Sequence, residues 1–122
     1  MSEYSPQSMT VTVGIVTNGI RPLWKVPDSF GGITIIEASI TFQEAGTAGL
    51  YLIDAGTAGT GTGALGTLAT YGGTAYTALT PSDMTIATDS YLDAGKWLAV
   101  KEDNTGTTLG TTTLTFSYRY GK

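Results

Sequence analysis

Thr111-Thr112-Thr113-Leu114-Thr115-Phe116-Ser117-Tyr118-Arg119-Tyr120 is the stretch that decides how this chain folds. Thr112, Leu114, Phe116, Tyr118 and Tyr120 fall on one side of an extended backbone, and Thr111, Thr113, Thr115, Ser117 and Arg119 on the other. A period of two marks a half-buried β-strand, because successive side chains leave opposite faces. The β-branched and aromatic residues that fill it suit a pleated surface.

The same alternation recurs upstream. Met9, Val11, Val13 and Ile15 alternate with Thr10, Thr12 and Gly14, and the run ends at the turn pair Asn18-Gly19. Between positions 20 and 30, Pro22 and Pro27 exclude a central strand, so this stretch reads as an extended crossing segment. In 33–43, Thr34, Ile36, Ala38, Ile40 and Phe42 share one face. The other changes from Ile33 and Ile35 to Glu37, Ser39, Thr41 and Gln43, which predicts a long, half-solvated strand.

Leu50-Tyr51-Leu52-Ile53 reads as a short buried strand between two copies of Ala-Gly-Thr-Ala-Gly, at 45–49 and 55–59, taken as turns at its two ends. Further strands are expected over 65–71, 75–79 and 85–88, separated by turns at Gly72-Gly73 and Thr80-Pro81-Ser82-Asp83. Tyr91-Leu92-Asp93-Ala94-Gly95 leads into a strand over 96–101, and Asp103-Asn104-Thr105-Gly106 turns the chain into its last one. No window carries a helical period, and the density of Thr and Gly opposes helices.

About eight short strands at spacings of roughly ten residues indicate an antiparallel sandwich or barrel, and the expectation is an all-β, single-domain antiparallel β-sandwich. An eight-stranded jelly roll, with two four-stranded sheets, matches the count, and Greek-key variants fit the same pattern. Residues 1–8 read as a flexible N-terminal arm and 9–122 as the sandwich domain.

A chain of 122 residues fits one domain. Twenty-three Thr, 17 Gly, 8 Ser and 4 Pro bring it close to low complexity, but 41% hydrophobic residues and twelve aromatics supply the apolar surface that ordering requires. With no Cys there is no disulfide framework, thiolate metal site or Cys nucleophile. With no His there is no Ser-His-Asp triad and no His-ligated zinc. The net charge is −4, and Lys25 and Lys96 enclose seventy residues without a cation, which argues against nucleic-acid binding. The first residues carry no signal-peptide pattern, and the apolar runs of four or five residues fall far short of a membrane span. The expectation is a soluble protein made in a cytoplasm.

Few residues invite a chemical reading. Gly61-Thr62-Gly63-Ala64-Leu65-Gly66 matches GxGxxG, but the motif must open a helix, and Thr-Leu-Ala-Thr-Tyr-Gly-Gly after it is a poor one, so a loop is expected and no cofactor. Asp83, Asp89 and Asp93 share a turn-rich stretch. Oxygen ligands suit Ca²⁺, but the spacing matches no EF-hand loop, so Asx turns and solvation account for them and no metal is assigned. Glu37 and Glu44 form no glycosidase pair on local evidence, and no catalytic residues are assigned. Tyr71, Tyr76, Tyr91 and Trp24 sit near loops, where flat rings stack on sugars. Trp97 and Phe116 read as core. Trp24, in the apolar but irregular Leu23-Trp24-Lys25-Val26-Pro27, either covers an open end of the sandwich or is buried against a second subunit.

Three segments together resemble the small jelly-roll decoration (cement) and head-fibre proteins of tailed bacteriophages. They are Trp24-Lys25-Val26-Pro27-Asp28 running through Gly31-Gly32 into 33–42, then 48–57, then 93–101. These are strand and turn idioms, and they bring no catalytic residues with them. The resemblance implies a non-enzymatic structural protein of the virion's capsid surface, made in the cytoplasm of a bacterial host. Its partner would be the major capsid protein, and it would act as a homotrimer. Leu23, Trp24, Val26 and Phe30 are the residues expected at the subunit interface, with 2–7 or the loop 56–66 against the shell. The alternative is a carbohydrate-binding module or receptor-binding tail tip that stacks glycans on Tyr71, Tyr76 and Tyr91.

Overall fold

A computed structural model describes residues 6–14, 19–43, 46–59, 66–76, 78–102 and 111–122, with backbone alone for 46–48 and 72–76. Its strands are β1 (Gln7–Gly14), β2 (Ile20–Lys25), β3 (Ile33–Phe42), β4 (Gly46–Asp54), β5 (Thr67–Tyr76), β6 (Ser82–Asp83), β7 (Thr85–Ile86), β8 (Tyr91–Leu92), β9 (Trp97–Glu102) and β10 (Thr111–Tyr120), with a single 3₁₀ turn over Asp28–Phe30. The first sheet runs β1-β10-β3, with β6 and β8 both paired to β3. The second runs β2-β9-β4-β5-β7. Every pairing is antiparallel.

The segment 82–92 behaves as one broken strand. Its pieces pair with β3, then with β5 of the opposite sheet, then with β3 again. Met84, buried between the pieces, donates its backbone N–H to Ala38 O at 2.9 Å. Counted as a single strand it stands sixth in the chain, and the two sheets then read 1-8-3-6 and 2-7-4-5-6, with the broken strand shared by both. Apart from that sharing it is the order of a jelly roll.

Both sheets turn one face inward. Ile40, Phe42, Leu114 and Phe116 come from the first sheet and Leu52 and Val100 from the second, all buried to within 1%. Each such side chain contributes about 1.5–3 kcal/mol by leaving water.

Several local features depart from simple alternation. β3 carries its core face on Ile33 and Ile35, then on Ala38, Ile40 and Phe42, because the register slips where Tyr118 pairs Ile35 and Ser117 pairs Glu37. A bulge shifts the parity of one strand by a residue. The single face expected for Thr34, Ile36, Ala38, Ile40 and Phe42 is therefore split, and Thr34 and Ile36 lie on the outside. Gly72-Gly73, expected as a turn, lies inside β5 at a second register shift, the usual place for Gly in a strand. Positions 67–71 and 75–76 of the two expected strands accordingly belong to one strand, Ala78 and Leu79 lie in a turn, and 65 and 77 lie outside the described residues. Of the two Ala-Gly-Thr-Ala-Gly copies, 55–59 turns, with Gly56 and Gly59 at positive φ, whereas 46–49 lies within β4.

Pro22 sits in a strand after all, but in β2 at the sheet edge, where its missing N–H costs no ladder bond. β1 and β2 belong to different sheets, and Asn18 of the expected Asn18-Gly19 turn lies outside the described residues. β1 starts at Gln7, so Gln7 and Ser8 of the expected arm pair with Tyr118 and Ser117. Residues 1–5 lie outside those described.

Candidate functional site

Of the residues expected at a subunit interface, one is buried in this chain and three are half-buried. Val26 is completely buried and belongs to the main core. Leu23, Trp24 and Phe30 are half-buried and pack on that core. Trp24 lies 5.4 Å from Tyr118, 6.5 Å from Phe116 and 5.9 Å from Phe30, ring centre to ring centre. It covers one end of the sandwich. Phe30 in turn meets Tyr120 edge-on at 4.9 Å, and Tyr120 remains 43% exposed.

Of the three tyrosines expected to stack sugars, Tyr71 is a core residue packed edge-on against Phe42 at 5.4 Å. The Tyr76 side chain lies outside the described residues. Tyr91 stands at a surface cleft. Trp97, expected in the core, is half-buried outside it. It caps a second apolar cluster of Ile53, Ala55 and Ala99 and leans on Gly59.

Among the described residues the other candidates do not assemble a chemical site. Positions 61–65 of the GxGxxG stretch lie outside the described residues, and β5 rather than a helix begins at Thr67. Asp83 pairs with Ser39 on β3, Asp89 accepts the Tyr91 N–H at 3.3 Å as an Asx turn, and Asp93 lies past β8. Among the described residues no three His, Cys, Asp or Glu gather as a metal would need. Glu37 is exposed on β3, and Glu44 lies outside the described residues.

Two features of the first sheet's outer face stand out instead. The first is a hydroxyl array. Thr12, Thr113 and Thr41 form one cross-strand row, Thr10, Thr115 and Ser39 a second, and Ser8, Ser117 and Glu37 a third. Hydroxyl pairs link β1 to β10 at 3.4, 3.2 and 3.4 Å. Glu37 is the one charge within these three rows, and exposed Asp83 on β6 extends the Ser39 row with a second. Beside the array's Thr41–Thr113 end, Leu79 stands 74% exposed at φ +58°, held there by its N–H on Phe42 O at 2.8 Å. A left-handed backbone is strained for a leucine, and here one backbone hydrogen bond keeps it.

The second feature is a cleft of about 330 Å³ at the other end of that face, past the β3 bulge. Arg119 of β10 pairs with Thr34 of β3, and Thr34 with Tyr91 of β8, so the three share one row. The floor is fixed by Ser90, whose hydroxyl donates to Ile35 O at 2.7 Å. The chain after β10 is tied down by Gly121 N–H on Gly32 O at 2.9 Å and by Thr34 Oγ1 donating to Gly121 O at 2.6 Å. That brings the Lys122 ammonium to 5.0 Å from the Tyr91 ring centre. The Tyr91 hydroxyl donates to Gly31 O at 3.1 Å, and its pKa is raised above the usual 10.0, first by the nearby Asp93 side chain and then by burial. Sequence reading found Tyr91 but missed Arg119, Lys122 and Asp89 as its neighbours, because only the strand order joins 34, 89–91 and 119–122.

Compared with known proteins, the chain matches no family model and no curated relative.

Proposed function

We propose that this protein is a non-enzymatic structural component of a phage virion that decorates the capsid shell. The observation that carries the reading is the hydroxyl array on the first sheet's outer face, three strands wide, with one charge inside it at Glu37 and a second at its β6 edge, Asp83. A surface of that kind packs against repeated neighbours without burying unpaired charge, whose desolvation would be costly. The exposed Leu79 at its border adds an apolar anchor. The jelly-roll order agrees with what the decoration-protein resemblance implies, and fold alone assigns no function.

The mechanism is mass action. A protein that binds the expanded shell and not looser states stabilises the expanded shell by its differential affinity. As a homotrimer it would bring one patch of each chain against a different patch of the next. With Val26 inside and Trp24 turned onto its own core, that contact falls to the partly exposed Leu23, Phe30 and Tyr120.

Light scattering behind size exclusion tests the assembly, with an expected mass three times the 12.7 kDa chain. Co-sedimentation with expanded capsid shells tests the partner. Thr10→Lys and Thr115→Lys place cations in the array and should abolish co-sedimentation while the far-UV spectrum stays unchanged. Undiminished binding by both variants would remove the array from the interface.

A further inference from the structure

We propose that the cleft lined by Thr34, Asp89, Tyr91, Arg119 and Lys122 binds a carboxylated sugar, with the two cations on the carboxylate and Asp89 on a hydroxyl. The site does not depend on shell binding, since it lies beyond the bulge that ends the hydroxyl array.

Charge is the first argument. In a chain of net charge −4 with six cations, two of them line this one cleft. Among the described residues neither Arg119 nor Lys122 forms an ion pair, whereas Lys96 is paired to Asp54 at 3.5 Å. Two cations lining one cleft, neither in an ion pair, outnumber the single carboxylate of Asp89 there and suit an anionic group, and the guanidinium fork takes a carboxylate through two parallel hydrogen bonds.

A bare anion does not explain the rest of the lining. Asp89 Oδ1 is held by the Tyr91 N–H, which leaves Oδ2 as an acceptor at the cleft. A carboxylate there repels a simple anion and receives a ligand hydroxyl. Thr34 has already given its proton to Gly121 O and so also presents acceptor lone pairs. A ligand that satisfies cations and acceptors together carries both a negative charge and hydroxyl donors.

Tyr91 supplies the apolar surface. Its ring is backed by Gly32, where any side chain would collide with it. Lys122 lies over the ring, in an exposed cation–π contact weaker than a charge-assisted hydrogen bond. An arriving carboxylate draws the ammonium toward itself and uncovers the ring for the C–H face of the sugar. The lysine thus acts as both cover and ligand.

The test is a ¹⁵N–¹H NMR titration of the full chain with D-glucuronate, with D-glucose and acetate as controls. Glucuronate should move the amides of Thr34, Asp89, Tyr91, Arg119 and Lys122, and both controls should bind at least about tenfold more weakly, the factor that one charge-assisted hydrogen bond provides. Arg119→Gln should weaken glucuronate by about tenfold or more. Lys122→Gln, at an exposed position that the fold does not need, should weaken it as well. Acetate binding as tightly as glucuronate would overturn the sugar assignment. Absence of shifts at these amides, or unchanged binding by both variants, would overturn the site.

Discussion

The Trp24 indole lies 5.4 Å from the Tyr118 ring, tilted by 41°, and so joins an edge strand of one sheet to the central strand of the other across an end of the sandwich. Phe30 and Phe116 complete the contact. An indole committed to three rings of its own chain is a stability element first. Trp24→Ala should cost about 3 kcal/mol, the low end for a large aromatic because the site is half-exposed. Urea unfolding followed by circular dichroism measures it, and a loss below about 1 kcal/mol would refute the packing role.

Gly32 has φ +97° and lies directly against the Tyr91 hydroxyl and ring. Gly32→Ala adds a steric clash to a strained backbone and should destabilise by about 2 kcal/mol or more. In a double-mutant cycle, Tyr91→Ala should return the clash but not the backbone strain. Additive losses would show that the two residues do not touch.

Thr112 is fully buried in β10, and its hydroxyl finds no hydrogen-bond partner among the described residues. Valine has the same shape without the hydroxyl. Thr112→Val should therefore raise stability by about 1 kcal/mol. A lower midpoint in urea would mean that the hydroxyl is satisfied.

Asp54 does two jobs at the end of β4. Oδ1 accepts the Gly56 N–H at 2.8 Å and Oδ2 meets Lys96 at 3.5 Å. The ion pair is partly exposed, so Lys96→Met should cost no more than about 1 kcal/mol. Asp54→Ala also strips the turn of its acceptor and should cost about 1 kcal/mol beyond that. Equal losses would assign the whole effect to the ion pair.

Tyr91 gives a pH signature. Its pKa is raised in the folded state, so folding favours the protonated phenol. The associated stability is fully present below the unfolded value of 10.0 and is lost as pH rises through the folded one. Tyr91→Phe should flatten the decline of the thermal midpoint above pH 10, and Asp93→Asn should bring the phenol's absorbance titration to lower pH. Unchanged profiles in both variants would dismiss the Asp93 contact.

Much of this was legible locally. The alternation in 111–120 named both faces of β10 correctly, since neither its outer hydroxyls nor its inner Leu114 and Phe116 depend on which strand lies beside it. The parity change in 33–43 was visible as Ile33 and Ile35 giving way to Glu37 and Ser39, but its meaning was not. Only the pairing with β10 shows that a bulge at 35–37 returns both halves to the core. Trp24 and Trp97 were each placed wrongly or ambiguously for a related reason. A tryptophan's apolar area attracts any apolar neighbour, and the sequence does not say which face receives it.

What the sequence determined by itself is the class: period-two strands, Gly- and Pro-rich breaks and too few helix formers point to an antiparallel sandwich or barrel. Tertiary structure decided the order of the strands, the break in the sixth, and the convergence of Thr34, Asp89, Tyr91, Arg119 and Lys122 on one cleft. Periodicity is a property of neighbours along the chain, so it is written locally. Strand order comes from pairings between distant segments, Arg119 with Thr34 and Thr34 with Tyr91, chosen by how the whole set of apolar faces is buried at once.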